Sequence, residues 1–234
     1  MANYDVIILT TSVTRPDLHD IIFPKYINFV TGLKVKWIIH VNKILDQSLI
    51  DTRDNLIKLL KDTDIDVEFT LTDSGGTKKD FFQAVQFISN QGLSLAKNSK
   101  YGILLLEDDW LLTNETATLK NLLDNHQITD IDNKKYYIRL AVSIAGHIKP
   151  HRRFFGLCAG FWSTDVFQTM FSYITKHYPE ADYPDPEDFL YSYVQKAERR
   201  YLKDVTYINE RIFLDAGRPW QKNSLDGLRT FSST

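Results

Sequence analysis

The fold of this chain is read from Tyr101-Gly102-Ile103-Leu104-Leu105-Leu106-Glu107-Asp108-Asp109-Trp110. Four aliphatic residues, Ile103 to Leu106, run straight into three acids. A short apolar run without period-two alternation suits a strand buried on both faces. The acids cannot follow it into the core, because unpaired carboxylates are too costly there. They belong where the strand leaves the sheet, and in open α/β sheets that edge is where ligands bind. Three converging carboxylates repel one another unless a cation joins them. Mg²⁺ is commonly held by one or two carboxylates plus substrate phosphates, and Mn²⁺ favours the same oxygen ligands. The competing reading is a solvated acidic turn.

Upstream, strand and helix patterns alternate. Tyr4 to Thr11 reads as a first buried strand, followed by a hydroxyl-rich turn from Thr10 to Arg15 closed by Pro16. Asp17 is placed to cap a helix carrying Leu18, Ile21, Ile22, Tyr26 and Phe29, with Pro24 as a kink or break. Lys34 to Val41 is a second strand ending at Asn42, and Ser48 to Leu60 a second helix. Ile65 to Leu71 alternates as a third strand, followed by a glycine turn, Thr72 to Thr77. A helix then runs from about Phe81 to Lys97. Strand–helix repetition of this kind predicts an α/β fold: a mostly parallel central sheet with helices on both faces.

Beyond Trp110 the pattern changes. Thr113 or Asn114 is placed to cap a helix through Leu123, and Tyr136 to Val142 reads as a strand. Arg152 to Trp162 is aromatic and glycine-rich with strand character. Thr164 to His177 and Pro186 to Arg199 read as helices, Thr206 to Phe213 as a last strand, and Leu214 to Thr234 as a polar tail. At 234 residues the chain suits a single domain with a sizeable core, and the composition shift near Thr113 divides it into 1–112 and 113–234.

Composition removes several classes. A net charge of −2 gives no support to nucleic-acid binding. The single cysteine, Cys158, excludes an intramolecular disulfide framework and a cysteine-built zinc site. The start lacks a basic segment, and its apolar run, Val6 to Leu9, is too short for a signal peptide or a membrane span. The expectation is a cytoplasmic protein.

Each predicted strand end brings polar groups to one edge: Thr10, Thr11 and Arg15; Asn42; Asp73 with Gly75, Gly76, Lys78 and Lys79; and Glu107 to Asp109. Glycines let backbone N–H groups approach a phosphate and lysines neutralise it. The turn is neither a Walker A sequence nor G-x-G-x-x-G, so ATPase and dinucleotide readings lose their support. It also reads as an ordinary turn. Phe155 to Trp162 mixes small residues with aromatics, either to floor a sugar site, with Trp162 as its platform, or as a tightly packed strand. Asp185-Pro186-Glu187-Asp188-Phe189 puts acids at a helix start, where the helix dipole favours them anyway and where one can serve as a general base. Asp215-Ala216-Gly217-Arg218-Pro219-Trp220-Gln221-Lys222, after the last strand, supplies basic residues able to fold over a diphosphate, or is simply part of a polar tail.

Taken together and in order, these residues resemble the GT-A glycosyltransferases, particularly inverting enzymes similar to family two. Glu107-Asp108-Asp109 looks like their acidic motif. Arg15-Pro16 is similar to their opening turn, Glu187-Asp188 to their base motif, and Gly217-Arg218-Pro219-Trp220 to the ending of some members. The resemblance implies a nucleotide-sugar-binding half, 1–112, and an acceptor-binding and catalytic half, 113–234. It also implies a nucleotide-diphosphate sugar donor, a glycan or other hydroxyl acceptor, and Mn²⁺ or Mg²⁺.

Carried over residue by residue, Asp109 would ligate the metal. Asp108, with Glu107, would hold the ribose or the metal's water. Asp188 would be the base, with Glu187 beside it. Thr10, Thr11, Arg15 and Asn42 would line the base and ribose pocket, with Asp73, Gly76 and Lys79 at the glycine turn. Arg218 or Lys222 would contact the diphosphate. Lys79 and Asp80 stand where the family often has asparagine, and no histidine lies near Arg218 to complete the metal shell. Two rivals stay open. A sugar-phosphate nucleotidyltransferase would need a glycine-rich loop after strand one, and Thr10 to Arg15 has no glycine. A non-catalytic carbohydrate-binding module would need neither acidic group.

Overall fold

A computed structural model of the chain describes residues 3–44, 48–73, 78–128, 135–142, 157–176 and 186–216; the side chains of Lys78, Asp188 and Ser192 are not described. The strands are β1 (Tyr4–Val13), β2 (Val35–Asn42), β3 (Asp66–Thr72), β4 (Ser99–Leu105), β5 (Trp110–Leu112), β6 (Tyr136–Ala141), β7 (Gly160–Trp162) and β8 (Thr206–Asp215). The helices are α1 (Pro16–Phe29), α2 (Leu49–Leu60), α3 (Lys78–Leu95), α4 (Leu119–Asn125), α5 (Thr164–Lys176) and α6 (Pro186–Phe189). α6 continues through a π-helical stretch, Leu190–Val194, into Gln195–Ala197.

Among the described residues the eight strands form one sheet in the order β3-β2-β1-β4-β7-β6-β8-β5. β1 pairs in parallel with β2 and β4, β2 with β3, and β6 with β8. β7 is antiparallel to both of its neighbours, and β5 to β8. The result is the expected α/β class with a mixed, mostly parallel sheet. Successive residues of the central strands enter opposite cores. Val6, Ile8, Trp37, Ile39 and Leu104 pack beneath α1, α2 and α4. Ile7, Leu9, Ile38, Ile103 and Leu105 pack against α3 and α5. This explains the unbroken apolar runs: both faces are covered.

Gly102 is required by its conformation. Its φ is +137°, and a Cβ there would lie 2.1 Å from the Trp162 carbonyl oxygen. β4 and β7 approach closely because this residue has no side chain.

Several boundaries differ from the sequence reading. β1 continues to Val13 through the supposed turn, because β2 pairs with it as far as Val13–Asn42. Asp17 does not cap α1. Pro16 occupies the first turn, Arg15 precedes it without a side-chain cap, and Asp17 sits in the first turn near the positive end of the dipole. Pro24 does not end α1, which runs on to Phe29. Proline has no N–H for the Asp20 carbonyl one turn back, and Asp20 lies on the exposed face of the helix. Thr113 and Asn114 cap nothing. β5 precedes them, and α4 begins at Leu119 with the Thr118 hydroxyl accepting from Asn121 N at 3.2 Å. Ser48 caps α2 in the same way, accepting from Asp51 N at 3.1 Å.

Candidate active site

The topology brings the ends of β1, β2 and β4, the start of β7 and the ends of β6 and β8 to one edge of the sheet. The acidic turn sits in the middle of it, fastened from three sides. Asp108 N donates to Thr11 O at 3.3 Å, and Ala216 N donates to Asp109 O at 2.7 Å. From α1, the Tyr26 hydroxyl donates to Glu107 O at 2.6 Å and accepts from Trp110 N at 3.1 Å. Burial, followed by the charges of Asp109 and Asp108, raises the Tyr26 phenol well above its ordinary value, so it remains a donor.

The three acids have three different fates. Asp108 is 1% exposed and turns inward. Its Oδ2 accepts from Ser12 Oγ at 2.7 Å, Val13 N at 3.1 Å and Arg15 Nε at 3.0 Å, and contacts His19 Nε2 at 2.8 Å. Its Oδ1 accepts from Arg15 Nη2. Burial alone would raise this carboxyl. The Arg15 charge and the bonds from His19 and Arg15 outweigh burial and hold it well below the usual carboxylate range. Almost fully buried, with Oδ2 crowded by donors and Oδ1 held by Arg15, Asp108 acts as an anchor. The expected role as ribose or metal ligand does not match this placement.

Asp109 keeps 21% of its side chain exposed, with Arg15 Nη2 at 3.1 Å from Oδ2. Burial raises its carboxyl, Arg15 pulls it down, and the charges of Asp108 and Asp215 push it up again, to about 6. Glu107 accepts from Trp110 Nε1 at 3.1 Å. Burial first, then Asp109 and Glu187, raise it well above the ordinary carboxylate value. Arg15 joins the inward and outward acids. Burial would lower its own pKa, but the two aspartates raise it.

Among the described residues, no group of three or more His, Cys, Asp or Glu side chains is gathered to hold a metal ion. A cation completed by substrate phosphates needs fewer, one or two carboxylates being enough. Asp109, raised by two neighbouring carboxylates, fits that role, with Asp215 beside it. Asp108 does not.

The other expected residues divide. Thr11 lies at the edge and lines, with Glu107, Leu157, Leu9, Val85 and Ile88, a shallow apolar crevice. Thr10 does not face the edge: it is fully buried and accepts from Trp37 Nε1 at 2.9 Å. Its parity on β1 sends it beneath α1, which corrects its assignment to the pocket. Asn42 ends β2, contacts His40 Nε2 through Oδ1 at 3.0 Å and donates to Asp80 O at 3.3 Å. Burial lowers the His40 pKa, opposed in part by that Asn42 contact. Asp73 is exposed and pairs with Lys43 at 3.2 Å, and Lys79 is exposed in the first turn of α3. Gly75, Gly76, Arg218 and Lys222 lie outside the described residues.

Glu187 accepts from Leu157 N at 3.0 Å, tying the start of α6 to the bend that leads into β7. Asp188 follows it in α6, with a side chain outside what is described. Burial, then Glu187, pushes the Cys158 thiol up to about 12, which makes it inert as a nucleophile. Trp162 is fully buried, 4.4 Å from the Tyr137 ring and 5.1 Å from Phe171 between centroids. It is core, and the expected sugar platform is corrected accordingly. His19 and Tyr26 were missed as site residues, while Ser12 and Asp215 fell within stretches the sequence singled out without the roles seen here. His19 and Tyr26 were detectable as polar residues on the apolar face of α1.

No family model matches the sequence, and no curated protein matches it. Solved structures match in shape. The chain is similar to the crystal structure of S. aureus TarS 1-349, with a TM-score of 0.53 and 10% identity over 91% of this chain and 60% of that one. It therefore spans 60% of the length of that structure. The glycosyltransferase GlyE of Streptococcus pneumoniae TIGR4 matches at a TM-score of 0.48 and 11% identity, covering 89% of this chain and 45% of that one. The galactosyltransferase LgtC, in complex with donor and acceptor sugar analogs, matches at 0.45 and 12%, covering 86% and 72%. What the TarS match shows is the fold, the one implied by the sequence resemblance.

Proposed function

We propose that this chain, built on the GT-A glycosyltransferase fold, moves a sugar from a nucleotide-diphosphate donor to a hydroxyl acceptor, with a divalent metal and by single displacement. The observation that carries this reading is the division of labour between neighbouring aspartates. Arg15 secures Asp108 beneath the turn and reaches Asp109, which it leaves at the mouth of the edge. A turn anchored in this way presents one carboxylate in a fixed position, which charge stabilisation at a leaving group requires.

Thr11 and Asn42, at the β1 and β2 ends, would line the nucleoside's side of the edge. Asp109, with Asp215 next to it, would hold Mn²⁺ or Mg²⁺, which supplies positive charge to offset the leaving diphosphate. Asp188 takes the acceptor's proton as the acceptor oxygen bonds to the anomeric carbon. The bond from that carbon to the diphosphate breaks, its electron pair leaves with the diphosphate, and the anomeric configuration inverts. Glu187 holds the Leu157 N–H and so fixes the start of α6 beside the edge. Arg218 or Lys222 would add charge-assisted hydrogen bonds to the diphosphate.

The test is release of nucleoside diphosphate from a panel of UDP-, GDP- and dTDP-sugars with Mn²⁺, offered with and without hydroxyl acceptors. Release from at least one donor, abolished in Asp109→Asn, supports the reading. No release and no nucleotide binding across the panel would reject it.

A further inference from the structure

Arg139 lies in β6 and is 9% exposed. Its neighbours alternate in facing. Tyr136 and Ile138 join the core beneath α1, and Tyr137 the core against α3 and α5. Arg139, two residues beyond Tyr137, therefore faces the α3–α5 side. It pairs with Gly160, which itself pairs with Leu105, so it stands level with the point where β4 runs into the acidic turn. Its Nε is buried and has no hydrogen-bond partner among the described residues. Among the described residues no carboxylate reaches ion-pair distance of it. The Tyr207 phenol is its side-chain hydrogen-bond neighbour, and Cys158 lies within the electrostatic reach of Arg139, Glu187 and Glu107 together.

A guanidinium cannot shed its charge at any physiological pH. Buried with no carboxylate beside it among the described residues, it carries a desolvation cost that an incoming anion would relieve. Its planar fork matches a carboxylate or a phosphate at two points. The donor groups proposed above gather at β1, β2 and β4. Arg139 is two strands beyond β4, roughly 10 Å at ordinary strand spacing, on the side where Glu187 ties α6 to the edge. We propose that Arg139 receives an acid group, a carboxylate or a phosphate, carried by the acceptor. The inference rests on the glycosyltransferase reading for the word acceptor, and on the geometry alone for the anion.

The experiment titrates the full chain and its Arg139→Gln and Arg139→Lys variants by ligand-observed NMR. The probes are methyl glucuronide against methyl glucoside, and glycerol phosphate against glycerol; UDP is titrated on the same samples. The wild-type chain should prefer the acid member of at least one pair by about tenfold, the scale of a charge-assisted hydrogen bond. Arg139→Gln should lose that preference, Arg139→Lys should keep part of it, and UDP affinity should stay within about twofold. The pair that responds identifies carboxylate or phosphate. Equal binding of acid and neutral probes to the wild-type chain would overturn the proposal, as would a preference surviving in Arg139→Gln. A parallel loss of UDP affinity would reassign Arg139 to the donor. If Arg139→Gln does not fold, Arg139→Lys decides: an undiminished preference overturns the proposal. Absence of UDP binding in every sample would count against the glycosyltransferase reading, while the probe pairs would still report on Arg139.

Discussion

Arg15 and Asp108 form a two-point ion pair beneath the acidic turn, Nε to Oδ2 at 3.0 Å and Nη2 to Oδ1, with both side chains almost fully buried. Removing one partner leaves the other charge uncompensated. Arg15→Ala should therefore destabilise the fold by roughly 3–5 kcal/mol. Its pH signature follows from the depressed folded pKa of Asp108. The pair's contribution is fully present above the unfolded carboxylate range, near pH 4, and is lost as pH falls through the lower folded value. Urea titrations between pH 2 and 7 should show acid sensitivity that Asp108→Asn flattens. An unchanged acid limb in Asp108→Asn would contradict the anchor role.

Tyr26 ties α1 to the same turn through one hydroxyl that donates to Glu107 O and accepts from Trp110 N. Tyr26→Phe keeps the ring and takes the hydroxyl partner from two partly buried backbone groups. A loss of roughly 1–3 kcal/mol is expected, together with weaker donor-nucleotide binding as the turn loosens. Thermal melts and nucleotide titrations on the same variant measure both. Reduced stability with intact nucleotide affinity would separate the staple from the site.

Trp162→Ala should act on the core. The ring is wholly enclosed beside Tyr137 and Phe171, and truncating such a residue costs roughly 3–5 kcal/mol. Circular dichroism should show a lower melting temperature. A variant of wild-type stability that has lost only acceptor use would restore Trp162 to the acceptor site.

Asp188→Asn keeps the size of the side chain and removes its proton acceptance. Turnover should fall by about two to four orders of magnitude, with donor binding retained. Glu187→Gln is the control, because an amide oxygen can still accept from Leu157 N and preserve the local geometry. A dead Glu187→Gln with a near-normal Asp188→Asn would move the base by one residue. Near-normal turnover in both would reject single displacement as drawn.

The parts of the fold legible in the sequence were those written in continuous apolar runs. Ile103 to Leu106 announced a strand covered on both sides, and Leu106-Glu107 marked where it leaves the sheet. β5 was missed because three residues, Trp110–Leu112, are too few to show a period. That strand exists because β8 pairs with it from the far end of the chain. The division between Asp108 and Asp109 was equally hidden. Adjacent acids are chemically alike, and their facing depends on Arg15 and on His19, which lies 89 positions from Asp108. Thr10 was misplaced for a related reason. A hydroxyl at a strand end suggests a ligand, yet its partner is the Trp37 indole inside the sheet. Arg139 carried a signal that went unused, a charge set among Tyr137, Ile138 and Leu140 in a buried strand.

Asp109 is the outward carboxylate on which the proposed function turns, and calorimetric titration of UDP, GDP and dTDP tests it most directly. The wild-type chain is titrated with Mn²⁺ and with EDTA, and Asp109→Asn with Mn²⁺. Because Asp109 titrates near 6 when folded, above the unfolded carboxylate value, the folded chain binds the extra proton between about pH 4 and 6, and Mn²⁺ affinity should rise across that window as the proton leaves. The account predicts that at least one nucleoside diphosphate binds at pH 7 with Mn²⁺, weakens strongly in EDTA, and loses its metal dependence in Asp109→Asn. Equal affinity with and without metal, unchanged in Asp109→Asn, would contradict it.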